Sequence, residues 1–102
     1  MSIKKQYLKS KPVCKVTFRL PRQRAAGARK AALAGEFNDW KVDRTPMKAL
    51  KNGDFTVTLS LKTGQEYQYR YIVDNQGWIT DDGADKYVHS GFADCQNSVV
   101  VI

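Results

Sequence analysis

Asn52-Gly53-Asp54, followed at once by Phe55, Val57, Leu59 and Leu61 alternating with Thr56, Thr58 and Ser60, limits what this chain can fold into more than any other stretch. A tight hairpin turn needs residues that tolerate positive φ, and a period of two puts every second side chain on one face of a pleated strand. The same period recurs in Val13–Leu20, where Cys14, Val16, Phe18 and Leu20 share a face against Lys15, Thr17 and Arg19. It recurs again in residues 67–73, where Tyr67, Tyr69, Tyr71 and Val73 oppose Gln68, Arg70 and Ile72. Each pattern predicts a strand with one face in a core.

The remaining segments fit between these strands. Residues 30–35 read as a short apolar strand, residues 36–46 carry turn residues, and a further extended piece lies around 47–50. Lys62-Thr63-Gly64 is a turn, residues 74–77 close a hairpin into 78–80, and a polar stretch over 81–94 leads to a last strand at 98–102. Pro21 ends the first strand. Beyond it, alanines and arginines in 22–29 favour helix while Gly27 and the short length oppose one, so the segment reads as a loop. With no long helical periodicity and turn signals every 8 to 12 residues or so, the expected fold is all-β: an immunoglobulin-like antiparallel β-sandwich of about seven strands. A five-stranded oligonucleotide-binding barrel is the alternative architecture.

A chain of 102 residues holds one core of useful size, and 42% hydrophobic residues exclude a mostly disordered polymer. Residues 1–11 carry Lys4, Lys5, Lys9 and Lys11 without an apolar run, and are expected to be a flexible basic leader ahead of a single domain at 12–102. Neither a signal peptide nor a run of about 18 apolar residues is evident, so the expected setting is cytoplasmic with no membrane partner. Cys14 and Cys95 lie near opposite ends of the chain, without metal-ligand spacing, and are expected as free thiols. The net charge of +7 gathers in the leader and around Arg22, Arg24, Arg29 and Lys30. It reads as solvated charge, with attraction to phosphate backbones as the competing reading.

No Gly-rich phosphate loop and no Cys-x-x-Cys is present, and His89 is the one histidine. Asp81, Asp82 and Asp85 could supply a carboxylate pair or calcium oxygens, but their spacing matches no calcium loop and they read as a solvated acidic loop. No catalytic residue, metal ligand or cofactor is therefore assigned, and the chain reads as no enzyme. The informative segment is Gly35-Glu36-Phe37-Asn38-Asp39-Trp40. There a strand ends in glycine, an apolar ring can turn inward, an Asx residue can hold the bend, and a tryptophan is left on a loop. Trp78 follows the turn at 74–77, and Arg70 lies on the strand feeding that turn. Two flat indole faces and a guanidinium suit the C–H faces and hydroxyls of glucose.

Residues 35–40, then Tyr67-Gln68-Tyr69-Arg70-Tyr71-Ile72-Val73-Asp74, Trp78 and Asn97-Ser98-Val99-Val100-Val101, together resemble the glycogen-binding module of AMP-activated kinase β subunits. They are equally similar to the early-set domains that precede the barrel in isoamylases and glycogen branching enzymes, which are associated with glycoside hydrolases. The resemblance implies that Trp40 and Trp78 stack on sugar, that Arg70 stands where the kinase module has a ligand-contacting lysine, and that Asn97 matches a ligand-contacting asparagine. Ala93 and Cys95 depart from the leucine and threonine of that module. The implied function is non-catalytic binding of glycogen, starch or maltooligosaccharide. The alternative is a module that docks on a separate glucan-metabolising enzyme, and nucleic acid ranks below both. Residues 99–102 read as an edge open to pairing, which leaves monomer or weak dimer.

Overall fold

The alternating stretches form the two faces of a sandwich. In the computed structural model, which describes residues 3–25, 27–74, 77–89 and 96–102, the strands are β1 (Ile3–Tyr7), β2 (Val13–Leu20), β3 (Ala31–Gly35), β4 (Lys48–Ala49), β5 (Phe55–Lys62), β6 (Glu66–Val73), β7 (Gly77–Ile79), β8 (Lys86–His89) and β9 (Gln96–Val101). One antiparallel sheet has the order β1-β2-β5-β4. The other runs β3-β6-β9-β8, with β7 also paired to β6. Phe18 and Val57 are cross-strand partners, as are Val16 and Leu59, so the period-two apolar faces of β2 and β5 coincide. They meet Leu33, Tyr69, Tyr71 and Val100 of the second sheet in a single core. Phe18 meets Tyr69 edge-on, ring centres 4.9 Å apart. Fully burying a side chain such as Phe18 or Leu20 contributes roughly 1.5–3 kcal/mol, which makes these faces the main source of stability.

Among the described residues there are nine strands rather than about seven, and two of them fall where none was expected. Ile3–Tyr7, inside the stretch expected as a flexible leader, pair with β2 from Ile3↔Phe18 to Tyr7↔Cys14. Ile3 is buried against the core, and the Lys5 ammonium lies 2.7 Å from Asp85. One apolar anchor suffices there because β2 would otherwise present a bare edge. Lys86–His89, inside the polar stretch, add to β9 by main-chain pairing, which hydropathy does not reveal. Residues 22–25, read as loop, form a four-residue helical turn whose Ala25 is buried; the Pro21 carbonyl accepts from the Arg24 and Ala25 amides. No helix among the described residues is long and apolar enough to cross a membrane.

The outward face of the first sheet is made of Lys4 and Gln6 from β1, Lys15, Thr17 and Arg19 from β2, Thr56, Thr58, Ser60 and Lys62 from β5, and Lys48 from β4. Its central threonines, Thr17 and Thr58, bond to each other at 2.9 Å. Arg19 pairs with Asp54 at the sheet end, at 2.8 Å.

Gly35 marks the closest approach between β3 and β6. A Cβ added there would lie 2.5 Å from the Gln68 carbonyl oxygen and 2.8 Å from Tyr69 Cβ, both in the sheet. Gly35→Ala is expected to cost about 1–3 kcal/mol through this overlap. A urea unfolding midpoint equal to wild type would refute the argument.

Candidate functional site

The outward face of the second sheet differs in kind. Arg70, Gln68 and Ile72 alternate outward from β6, and the register sets Ala34 beside Arg70 and Ala32 beside Ile72. On the other side of β6, Trp78 faces Ile72 and Val99 faces Gln68. Asn97 lies two residues from Val99 on β9, so it shares the face. Trp78 is 43% exposed, and the Arg70 guanidinium sits over its ring, 5.7 Å from the centroid. Such a stack holds both planes in place and contributes about 0.5–1 kcal/mol. Among the described residues the Arg70 Nε–H has no hydrogen-bond partner, so stacking rather than a carboxylate positions this cation. Asn97 Nδ2–H donates to Gln68 Oε1 at 3.0 Å. The two amides thereby present one remaining carbonyl and one remaining amide group beside Arg70.

Trp40 is positioned by a different route. After Gly35 the chain makes a 3₁₀ turn, Glu36–Asn38, and Phe37 turns inward between Phe18 and Tyr67 at 6.0 and 6.1 Å. Asn38 is the clamp: its Oδ1 accepts from the Gly35 amide, and its Nδ2 donates to the Leu33 carbonyl and to Thr45 Oγ1, at 2.9–3.0 Å. Asp39 and Trp40 then both take left-handed backbone, φ 57° and 59°. Non-glycine residues adopt it at a cost of about 1 kcal/mol or more each. The Trp40 amide donates to the Gly35 carbonyl at 2.8 Å and closes the loop. Glu36 Oε1 accepts from the Gln68 amide at 2.7 Å, tying the loop to β6. The indole of Trp40 is half-buried. Asn38→Ala removes three partly buried bonds and is expected to cost about 2–3 kcal/mol. A thermal melt within a degree or two of wild type would show that the clamp is dispensable.

The residues singled out from sequence are therefore placed as follows. Arg70 and Trp78 are in contact, Asn97 lies on the same face with Gln68 as its partner, and Trp40 is held at the end of β3, whose Gly35 pairs with Tyr69. Ala93 and Cys95 lie outside the described residues, while Cys14 is a buried free thiol. Asn38 is the Asx residue that holds the bend expected in 35–40, whereas Gln68 is not among the residues that the sequence singles out. Period-two placement had put Gln68 on the face of Arg70, but its amide pairing needs the β6–β9 register.

The acidic segment is not a solvated loop. Asp81 is buried, and its Oδ2 accepts from the Tyr69 and Tyr71 hydroxyls at 2.6 and 3.1 Å while its Oδ1 accepts from the Gly83 amide at 2.9 Å. Burial, with the Asp81 charge beside them, pushes both tyrosine hydroxyls well above their usual pKa. Asp82 pairs with Arg24, and Asp85 receives both the Lys5 ammonium and the Val101 amide. The signal was present in sequence: two tyrosines on an inward face bring two hydroxyls into the core, and each must find an acceptor.

No curated protein matches the chain. The family model for the glycogen recognition site of AMP-activated protein kinase matches residues 15–101, a span from β2 to the end of β9 that includes Trp40, Arg70, Trp78 and Asn97. The chain belongs to this family of glycogen recognition domains.

Proposed function

We propose that the domain is a non-catalytic α-glucan-binding module in which Trp78 and Trp40 stack on glucose rings while Arg70, Asn97 and Gln68 bond their hydroxyls. The observation that carries this reading is the exposed Trp78 ring backed by the Arg70 guanidinium, which pairs with no carboxylate among the described residues. Glucose offers a flat C–H face to an indole and a rim of hydroxyls to polar side chains, which is the composition of this face. An open face desolvates little surface, so the affinity is modest and gains from the many repeats of a polymer.

A second reading, docking on a separate glucan-metabolising enzyme, draws on the β8 edge of the same sheet. Tyr87 and Val101 are exposed there at 39% and 38%. The two readings separate in native gels cast with and without glycogen. Wild type is expected to be retarded by glycogen, and Trp40→Ala and Trp78→Ala to migrate freely while folded. A wild type that runs identically in both gels would discard the glucan reading and leave docking.

A further inference from the structure

On the outward face of the second sheet, Trp78 is followed across the strands by Ile72 of β6, Ala32 of β3 and Pro46, which bridges to Ala32. At a strand spacing of about 4.8 Å this row extends about 14 Å from Trp78. Its far end opens into a groove of about 200 Å³. Ala32, Val42, Pro46 and Ile72 form an apolar floor, and Asp43 and Asp74 stand at the rim.

We infer that this groove is a second sugar subsite, which takes a further glucose ring of the same α-glucan whose first rings stack at Trp78. The inference rests on the glucan reading above and adds a path and a length requirement to it. Three observations support it. The floor is apolar: Ala32 and Ile72 form its nearly covered base, at 7% and 3% exposure, and the half-buried Val42 and exposed Pro46 give a ring its accessible contact. Asp74 Oδ1 is fixed by the Arg29 and Lys30 amides at 3.0 and 3.1 Å, which orients the carboxylate and leaves Oδ2 to accept from a hydroxyl. Asp43 is exposed and makes no side-chain hydrogen bond or ion pair among the described residues. Charged acceptors bond hydroxyls more strongly than neutral ones. Asp43 and Asp74 with Lys30 beside them make a lining of mixed charge, which suits an uncharged polyol best.

Calorimetric titration of wild type, Ala32→Leu, Asp43→Ala and Trp78→Ala with maltotriose and with maltoheptaose tests the inference. Ala32→Leu fills the groove, and Asp43→Ala removes one acceptor that no packing depends on. Both are expected to bind maltotriose as wild type does and to bind maltoheptaose about 3–10-fold more weakly, the worth of one hydrogen bond or one contact. Trp78→Ala is expected to lose both sugars. If both groove variants bind maltoheptaose like wild type while Trp78→Ala loses it, the groove is no subsite although the glucan reading stands. If wild type binds neither sugar, both fall. Should Ala32→Leu fail to fold, Asp43→Ala alone decides by the same comparison.

Discussion

Asp81→Ala is expected to lower the unfolding free energy by about 4 kcal/mol, as much as truncating a large core side chain. The carboxylate is the shared acceptor for the Tyr69 and Tyr71 hydroxyls, and both rings are fully buried. Deleting it leaves the Tyr69 hydroxyl without that acceptor and the Tyr71 hydroxyl with the longer 3.4 Å bond to the Arg19 carbonyl, at about 1–3 kcal/mol each, and opens a small void. Small domains hold about 5–15 kcal/mol in total, so the variant should unfold at much lower urea and at a melting temperature lower by about 20 °C. Asp81→Asn keeps an acceptor and should lose less; equal losses for the two would refute the hydrogen-bond account.

The same cluster sets the alkaline limit. Both tyrosines have their pKa raised in the folded state, so their contribution is complete below the unfolded value of about 10 and is lost as pH rises beyond it. Each contributes a slope of about 1.4 kcal/mol per pH unit, and the pair about 2.7. Tyr69→Phe should halve the slope of stability against pH between about 10 and 11.5; an unchanged slope would mean that other groups govern alkaline unfolding. Asp54 acts in the opposite sense. The Arg22 amide and the Arg19 guanidinium hold its carboxyl below the usual 3.8, so its contribution is present above that pH and fades as acid protonates it.

The second large effect is on binding. Trp78→Ala is expected to weaken glucan affinity tenfold or more, about 1.4 kcal/mol, with little change in stability because the ring is 43% exposed. On the proposed glucan reading two losses combine: the stacking plane for the sugar disappears, and Arg70 loses the ring beside its guanidinium. Arg70→Lys keeps the charge but not the planar stack, and should fall between wild type and Trp78→Ala. Tryptophan fluorescence titration with maltoheptaose measures all three. A Trp78→Ala protein that is folded and binds like wild type would move the sugar site elsewhere.

Much of this architecture was legible because period-two alternation is a direct record of which face meets the core. β2, β5 and β6 announce themselves in that way, and the Asn52-Gly53-Asp54 turn fixes how β5 begins. β1 and β8 do not, because both are edge strands held by main-chain pairing, with Ile3 the only buried anchor in β1. The candidate site divides along the same line. Trp78 and Arg70 are readable from a hairpin and a face. The Asn97–Gln68 pair and the groove beside Ile72 depend on which strands become neighbours. Asp81 was misjudged because local composition says acidic loop, while the constraint comes from two tyrosines on another strand.

The two outward faces answer to different variables. Amylose-type chains carry no charge, so ionic strength should leave their hold on the second sheet unchanged. The first sheet's plate of Lys4, Lys15, Lys48 and Lys62, none of them in an ion pair among the described residues, interacts through a field whose range falls from about 10 Å at 0.1 M salt to about 3 Å at 1 M. Salt should therefore loosen the first sheet's hold on a polyanion such as a cation-exchange resin, while an uncharged ligand on the second sheet stays in place.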